Sequence, residues 1–192
     1  MRVLVTGGAG YIGSHTCVEL LNSGHEVCVI DNLCNGHEAA LKRVQNITNC
    51  ELQFMNVDIR DANALDNIFN SFKPKAVIHF AGLKAVGESV KYPLSYYDVN
   101  VGGSISLLSA MSKVGCDNIV FSSSATVYGK PEYLPYDEKH PTNPVNPYGR
   151  TKLIVENIIN DWTTEVSNRK GTVLRYFNPV GAHESGQIGE EP

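Results

Sequence analysis

The 192-residue sequence lacks the features that mark several classes of protein. No apolar run reaches the roughly 18 residues that a membrane-spanning helix needs. There is no block of basic residues and the formal net charge is −4, so we expect neither nucleic acid nor a membrane as partner. The five cysteines form no CxxC pair, which disfavours a disulfide framework and a metal site. No signal peptide fits before the first apolar run, so we expect a cytoplasmic protein.

Short β-branched runs alternate with longer helical patterns along the chain. The six predicted strands are 3–5, 26–30, 52–57, 76–80, 118–122 and 172–176. The predicted helices are 11–23, 37–47, 62–72, 94–114 and 148–166. This alternation predicts an α/β fold with a doubly wound parallel sheet (Rossmann-like) and right-handed crossovers. Residues 128–147 contain five prolines and are predicted to form a loop long enough to suggest a functional role.

A glycine-rich turn joins the first predicted strand to the first predicted helix. Residues 6–13 are Thr-Gly-Gly-Ala-Gly-Tyr-Ile-Gly, so Gly8, Gly10 and Gly13 fit GxGxxG, while Gly7, Gly10 and Gly13 fit GxxGxxG. In either register the glycines allow a sharp turn, a close approach to a pyrophosphate and tight packing of the helix, whose N-terminus favours an anion. The alternative is a tight turn without a ligand, but the strand–turn–helix context favours a dinucleotide site.

Asp31 ends the second predicted strand, 18 residues after Gly13. A carboxylate at this point can accept both ribose hydroxyls of an adenosine and repels a 2′-phosphate, so it favours NAD over NADP. The alternative is a solvated aspartate at a strand end.

A second group of candidate residues lies later in the chain. Tyr148 and Lys152 are four residues apart at the start of a predicted helix, so they share a face. A nearby ammonium, together with the positive charge of an oxidised nicotinamide, would lower the pKa of a tyrosine toward the range of a general base. Residues 122–124 are serines at the end of the fifth predicted strand, where ligands of doubly wound folds bind, although a polar strand cap is the alternative.

Several segments resemble one known family. They are 6–13, 31–32, 57–60, 79–82, 122–129, 148–152 and 175–178, and they resemble the extended short-chain dehydrogenase/reductase superfamily. Within it, 82–89 (GLKAVGES) and 176–183 (YFNPVGAH) resemble the UDP-glucose 4-epimerase family, of bacterial type. The resemblance covers the whole sequence, with the motifs in the expected order.

The resemblance implies a role for each matching residue. Tyr148 would be the catalytic base and acid, Lys152 would bind the nicotinamide ribose and lower the pKa of Tyr148, and Ser124 would help move the proton of the sugar's 4-hydroxyl. The substrate-binding residues would be Ser124, Tyr148, Phe177 and Asn178. The cofactor-binding residues would be Gly7, Gly10, Tyr11, Ile12, Gly13, Asp31, Asn32, Leu33, Cys34, Asn35, Gly36, Asp58, Ile59, Phe80, Ala81, Gly82, Leu83, Lys84, Asn100, Ser122, Tyr148, Lys152 and Tyr176.

The reaction that the resemblance implies is the interconversion of UDP-glucose and UDP-galactose in galactose metabolism. Tightly held NAD would oxidise C4 of the UDP-sugar transiently, the 4-keto intermediate would rotate, and the hydride would return to its other face. Helices 94–114 and 148–166 would pair in a homodimer of the full-length protein.

Family members continue into a smaller C-terminal domain that grips the nucleotide of the substrate. We therefore expect 1–178 to form the NAD-binding Rossmann-like domain and 179–192 to begin a truncated substrate-binding region, with the remainder of that domain missing. We expect the isolated chain to bind NAD weakly and to turn over slowly or not at all.

Three other functions remain open. One is another nucleotide-sugar epimerase. A second is a 4,6-dehydratase, but such an enzyme needs an acid pair after the strand-five hydroxyl, and Ala125 and Thr126 at these positions argue against it. The third is a non-catalytic NAD-binding fragment.

Overall fold

One parallel sheet organises the chain. The computed structural model describes residues 1–190, and positions 191 and 192 of the predicted C-terminal region lie outside the described residues. The strands are β1 (Arg2–Thr6), β2 (Glu26–Asp31), β3 (Gln53–Asn56), β4 (Ala76–His79), β5 (Asn118–Ser124) and β6 (Lys170–Tyr176). They pair in the order β3-β2-β1-β4-β5-β6, all parallel, so the predicted doubly wound sheet is confirmed.

Helices connect the strands and cover both faces of the sheet. They are α1 (Tyr11–Asn22), α2 (Glu38–Thr48), α3 (Ala62–Phe72), α4 (Val86–Lys91), α5 (Pro93–Tyr96), α6 (Gly103–Val114) and α7 (Pro147–Glu165). A π-helical turn, Tyr97–Gly102, joins α5 to α6, and a 3₁₀ turn, Ala125–Val127, follows β5. Within residues 1–190, no helix is both long and apolar enough to cross a membrane.

The apolar residues form a layer on each side of the sheet. Because successive strand residues point to opposite faces, Leu4 packs with α3, α6 and α7, whereas Val3 and Val5 pack with α1 and α2. Both faces of β1 are therefore buried, as its uninterrupted apolar run predicted. Because every pairing is parallel, the carboxyl ends of the six strands lie at one edge of this sheet.

The structure differs from the predicted elements in three details. The single helix predicted over 94–114 is divided by the π-helical turn, and its first part, α5, begins one residue earlier at Pro93, since the first helical position needs no N–H donor. The six-residue α4 was not predicted because so short a helix shows no apolar periodicity. Strand β5 also runs two residues further than predicted, because backbone pairing continues from Ser122 to Ser124 opposite β6.

Candidate functional site

A cleft of about 1040 Å³ opens at the carboxyl edge of the sheet. It lies where the strand order reverses between β1 and β4, the usual position of ligands in open α/β sheets. The predicted site residues that line it are Gly7, Gly10, Tyr11, Ile12, Gly13, Asp31, Asn32, Cys34, Asn35, Gly36, Asp58, Ile59, Phe80, Ala81, Gly82, Leu83, Lys84, Ser122, Ser124, Tyr148, Lys152, Tyr176, Phe177 and Asn178. The sequence motifs, which are far apart in the chain, thus meet in one cavity.

The glycine turn, residues 7–13, leaves no room for side chains at its two ends. Gly7 has a φ of +72°, and a Cβ there would lie 2.6 Å from the backbone nitrogen of Ala81. A Cβ on Gly13 would lie 2.3 Å from the carbonyl oxygen of Gly7. Gly7 lines the cleft, whereas Gly8 packs against Val29, so the turn uses the Gly7, Gly10 and Gly13 register. Helix α1 begins at Tyr11, within this turn, so its N-terminus lies at the cleft.

The carboxylate of Asp31 is attached to the turn by hydrogen bonds. Its two oxygens accept from the backbone N–H of Ala9 at 3.0 Å and from that of Leu33 at 2.8 Å. Because a carboxylate has about four lone-pair sites, acceptor capacity remains for ligand hydroxyls. Asp31 is buried yet lines the cleft, as a ribose-binding carboxylate should.

Beyond Asp31, a charged cluster forms one end of the cleft. Asn32 donates to Asp58 at 3.0 Å, and Arg60 donates to both oxygens of Asp58 as well as to Asp98. The guanidinium of Arg60 holds the pKa of the Asp58 carboxyl well below its usual range. Asp58 therefore stays ionised at the cleft rim at physiological pH.

Two of the predicted cofactor residues, Leu33 and Asn100, do not line the cleft. Leu33 has a φ of +59° and packs against the apolar layer beside β2 instead. Asn100 is buried behind the cleft, where its amide pairs with both the N–H and the carbonyl of Leu83, at 2.8 and 3.1 Å, and also donates to Thr151. Asn100 thus holds the 80–83 segment, which forms one wall of the cleft and is called the 80–83 wall below.

The Lys152 ammonium lies at the inner end of the cleft. Its side chain comes from the first turns of α7, the residue is only 6% exposed, and its Nζ donates to the Ser122 carbonyl at 2.8 Å. Burial lowers the pKa of Lys152 to about 8, although the charge of Glu156 opposes the shift.

Tyr148 and Ser124 face the same part of the cleft. Burial raises the pKa of Tyr148, while a hydrogen bond with the Ser124 side chain opposes that rise. Ser124 Oγ accepts from the N–H and the hydroxyl of Thr126, at 3.2 and 3.0 Å, so its own proton is available for the phenolic oxygen. The lowered pKa predicted for Tyr148 counted on two positive charges, an ammonium and an oxidised nicotinamide, and it stays a prediction. Lys152, the one of the two that this chain supplies, has its Nζ 5.8 Å from the centroid of the Tyr148 ring.

A buried ion pair behind this group was not predicted. Glu156 accepts two hydrogen bonds from Arg175, at 3.1 and 2.7 Å, and one from Ser123 at 2.5 Å. It thereby joins α7 to the ends of β5 and β6. The four-residue spacing from Lys152 to Glu156 is visible in the sequence. The pairing of Glu156 with Arg175 on β6 could not be predicted, because it depends on the register of the sheet.

The segment after β6 lies across the mouth of the cleft. The Tyr11 hydroxyl donates to the Gly181 carbonyl at 2.6 Å, Arg43 donates to the Gln187 carbonyl at 3.1 Å, and Lys84 lies 3.4 Å from Glu190. The cleft residues that sequence reasoning missed include Arg43, Tyr136 and the tail residues Pro179, Val180, Ile188, Gly189 and Glu190. Burial of Ile188 had no signal in this polar, glycine-rich stretch.

The site contains no cluster suited to a metal ion. Nowhere in residues 1–190 do three or more histidine, cysteine or acidic side chains lie close enough together to hold a metal ion.

Both the sequence and the fold resemble those of known proteins. Residues 3–190 match the model of the NAD dependent epimerase/dehydratase family. The UDP-glucose 4-epimerase of Bacillus subtilis (strain 168) is 57% identical over 192 residues, which is all of this chain and 57% of the relative. The solved UDP-glucose 4-epimerase of Bifidobacterium longum in complex with NAD+ and UDP matches with a TM-score of 0.98 and 49% identity, over 100% of this chain and 58% of its own.

A second solved structure gives the same result. The UDP-glucose-4-epimerase of Stenotrophomonas maltophila, with bound NAD and formylated UDP-arabinopyranose, has a TM-score of 0.97 and 50% identity, over 100% of this chain and 57% of its own. The chain therefore spans a little over half the length of these relatives.

Proposed function

Because this chain belongs to the NAD dependent epimerase/dehydratase family, we propose that it binds NAD and interconverts UDP-glucose and UDP-galactose by transient oxidation at C4 of the sugar. The observation that carries the proposal is the meeting of Ser124, Tyr148 and Lys152 in one cleft with the glycine turn. Relatives of 49 to 57% identity bear the name UDP-glucose 4-epimerase. Because this chain spans a little over half of their length, we expect its own turnover to be slow, and the complete reaction has to be tested on it.

The cleft fits NAD on the chain's own geometry. A Cβ on Gly7 or Gly13 would clash with backbone, so these glycines permit the sharp turn and the close helix packing of a dinucleotide site, whereas the Cβ position of Gly10 is open except for the Gly7 carbonyl oxygen at 3.4 Å, as close approach to a pyrophosphate requires. Asp31 would receive the adenosine ribose, Asp58 and Ile59 would flank the adenine, and the 80–83 wall would face the nicotinamide. When bound, NAD supplies a reversible hydride acceptor, so that the C4 hydroxyl becomes a ketone and is restored in either configuration.

Proton transfer is assigned to Tyr148. Its phenolic oxygen takes the proton of the sugar hydroxyl and later returns it, and Ser124 relays that proton through its own hydroxyl. Burial disfavours the phenolate, so the group needs positive charge nearby to act as a base near neutral pH. Lys152 supplies one such charge, and its donation to Ser122 fixes the ammonium close to the end of β5.

The UDP-sugar is assigned to the side of the cleft formed after β6. Phe177 is exposed and Asn178 follows it, so both are free to contact a substrate. The tail from 179 is proposed to begin the substrate-binding region, after a cofactor domain of residues 1–178. The two solved relatives described above contain UDP or a UDP-sugar, which supports this ligand class.

We also propose that the longer protein is a cytoplasmic homodimer. Support for the dimer comes from a groove between α6 and α7, lined by the apolar residues Ile105, Leu108, Ile158 and Trp162. Support for the location comes from the five cysteines, all of which are free thiols in residues 1–190, as is usual for proteins of a reducing compartment.

The test is an epimerisation assay on this chain with added NAD and UDP-galactose, with formation of UDP-glucose followed by NMR. We expect Tyr148→Phe to lose about 10²- to 10⁴-fold in rate while still binding NAD, because only the proton-transfer group is removed. The control Tyr92→Phe changes an exposed tyrosine outside the cleft and should retain the wild-type rate. NAD binding with no conversion of any UDP-sugar would favour a non-catalytic NAD-binding fragment.

A further inference from the structure

His79 is a buried polar residue that the proposed reaction does not use. It is the last residue of β4, directly before the 80–83 wall, and it is 1% exposed. Its Nδ1 lies 2.7 Å from Thr6 Oγ1 at the end of β1, and its Nε2 lies 2.9 Å from Ser104 Oγ in α6. Both ring nitrogens are therefore satisfied within the protein.

The hydrogen-bond partners on either side determine where the ring proton is. Ser104 donates its single hydroxyl proton to the Asn100 carbonyl at 2.5 Å, so its oxygen must accept from Nε2–H of His79. Thr6 Oγ1 accepts from the N–H of Ala81 at 3.3 Å and gives its own proton to Nδ1. Every donor then meets an acceptor only if the imidazole is neutral and protonated at Nε2.

This chain of hydrogen bonds contacts the 80–83 wall at both ends. One end is the N–H of Ala81, which packs against Gly7 with no space for a Cβ between them. The other end is Asn100, whose side chain pairs with the backbone of Leu83. Moving His79 would therefore move the wall relative to the glycine turn.

The ring of His79 also faces the Lys152 side of the site. Its centroid lies 5.5 Å from that of Phe121, and the Lys152 ammonium lies 4.9 Å from the same phenyl ring. A positive charge on His79 would therefore be the second one next to Phe121 in a buried region. Burial and the charge of Lys152 accordingly lower the pKa of His79 to about 3.

We propose that His79 is a positioning residue that holds the 80–83 wall against the glycine turn, acting as a permanently neutral imidazole protonated at Nε2. The proposal rests on the proposed function in one respect, the assignment of this wall as the one that faces the cofactor. The hydrogen bonds from His79 to the wall do not depend on that assignment.

The first test is NMR of the chain labelled with ¹⁵N. We expect His79 to show an unprotonated Nδ1 and a protonated Nε2, unchanged between pH 8 and pH 5. In His79→Phe, which removes both bonds, the amide protons of Ala81 and Leu83 should exchange at least about tenfold faster, as expected for loss of about one hydrogen bond each. The control is Val77→Ala, which creates a cavity at a buried position of the same strand but keeps the chain of hydrogen bonds. In this variant the amides of Ala81 and Leu83 should exchange no faster, relative to the amides next to them, than in the wild type.

The second test is the NAD dissociation constant measured by calorimetry. We expect His79→Phe to bind NAD at least about tenfold more weakly than Val77→Ala. His79→Asn should have intermediate affinity, because its side-chain oxygen can still accept from Thr6. These results would support the positioning role, since a general loss of stability would not produce the graded rescue.

Three results would overturn the proposal: protonation of Nδ1, titration of His79 between pH 5 and pH 8, or wild-type exchange at Ala81 and Leu83 in His79→Phe. If the wild-type chain does not bind NAD at all, the proposed function fails. The NMR results then still decide whether His79 holds the wall.

Discussion

The carboxylate of Asp31 accepts a hydrogen bond from the backbone N–H of Ala9 at 3.0 Å, which joins the end of β2 to the glycine turn. The same side chain accepts from the Leu33 N–H at 2.8 Å. Asp31 therefore shapes the turn before any ligand is bound, in addition to the ribose-binding role predicted from its position.

Replacing Asp31 by asparagine should weaken NAD binding about 10- to 100-fold, because a charged acceptor is lost from the turn and from the ribose site. The ratio of NADP to NAD affinity should rise, since the repulsion of a 2′-phosphate is removed. Titration calorimetry with both dinucleotides measures the two effects. Glu26→Gln, at the opposite end of β2, is the matched control, and an equal loss in that variant would contradict the assignment.

Gly7 and Gly24 form a natural pair of test positions. Their φ angles are +72° and +75°, but only Gly7 has backbone atoms where a Cβ would be placed. Gly24→Ala should cost only the left-handed penalty of about 1 to 2 kcal/mol. Gly7→Ala should cost more and should abolish NAD binding, because the alanine pushes Ala81 away. Chemical unfolding and calorimetry on both variants check this, and equal losses of stability with intact NAD binding would contradict it.

The buried Lys152 ammonium should reduce stability at neutral pH. The unfolded chain holds this proton up to a pKa of about 10.4, whereas in the folded chain burial lowers the pKa of Lys152 to about 8. The contribution of Lys152 to the free energy of unfolding is therefore most unfavourable below pH 8. It diminishes as the pH rises toward 10.4, because the unfolded chain then holds the proton that the folded chain has lost.

Lys152→Met should be more stable than wild type at pH 7, by about 2 kcal/mol after allowing for the lost bond to Ser122. The difference should shrink between pH 8 and pH 10.4, and epimerisation should be lost. Urea unfolding across this pH range measures the difference. If Lys152→Met is less stable than wild type at pH 7, and the difference in free energy of unfolding does not change with pH, burial of the ammonium does not destabilise the folded chain.

His79 should give the wild-type chain an acid sensitivity of its own. In the unfolded chain the imidazole binds a proton below about pH 6.5, whereas burial keeps the folded pKa at about 3. The free energy of unfolding should therefore fall by about 1.4 kcal/mol per pH unit below pH 6.5 through this group.

His79→Gln has no imidazole to titrate, so its free energy of unfolding should not fall in this way. The difference in free energy of unfolding between wild type and His79→Gln should therefore narrow by about 1.4 kcal/mol per pH unit as the pH falls from 6.5 to 5. Val77→Ala keeps His79 and should follow the wild-type slope. Parallel curves for wild type and His79→Gln would contradict a neutral folded imidazole.

Local patterns were enough to predict the sheet and the glycine turn. The apolar run before Gly7 and the helical spacing after it specify the first strand–turn–helix unit, and Asp31 follows at the expected distance. Each of these signals lies within about 30 residues, so no tertiary information was needed.

What the sequence did not predict depends on contacts between distant segments. The resemblance predicts that Asn100 supports the nicotinamide side, but its hydrogen bonds to the backbone of Leu83 follow from the π-helical turn and have no local signal. The pKa of Tyr148 depends on how deeply α7 buries its first turn, and the partners of His79 come from β1 and α6. Ile188, in the segment after β6, is buried in the apolar layer that contains Val3 and Val5, and this burial is likewise a tertiary effect without a local signal.

The most direct test of the central claim is the near-ultraviolet absorbance of the NAD-loaded chain before and after UDP-glucose is added. We predict that a reduced-nicotinamide band appears with the wild-type chain and is absent with Tyr148→Phe, which would place the proton-transfer group, the cofactor and the sugar in one assembled site. A folded chain that binds no NAD would contradict the account. A band of equal size in Tyr148→Phe would contradict the role assigned to that tyrosine.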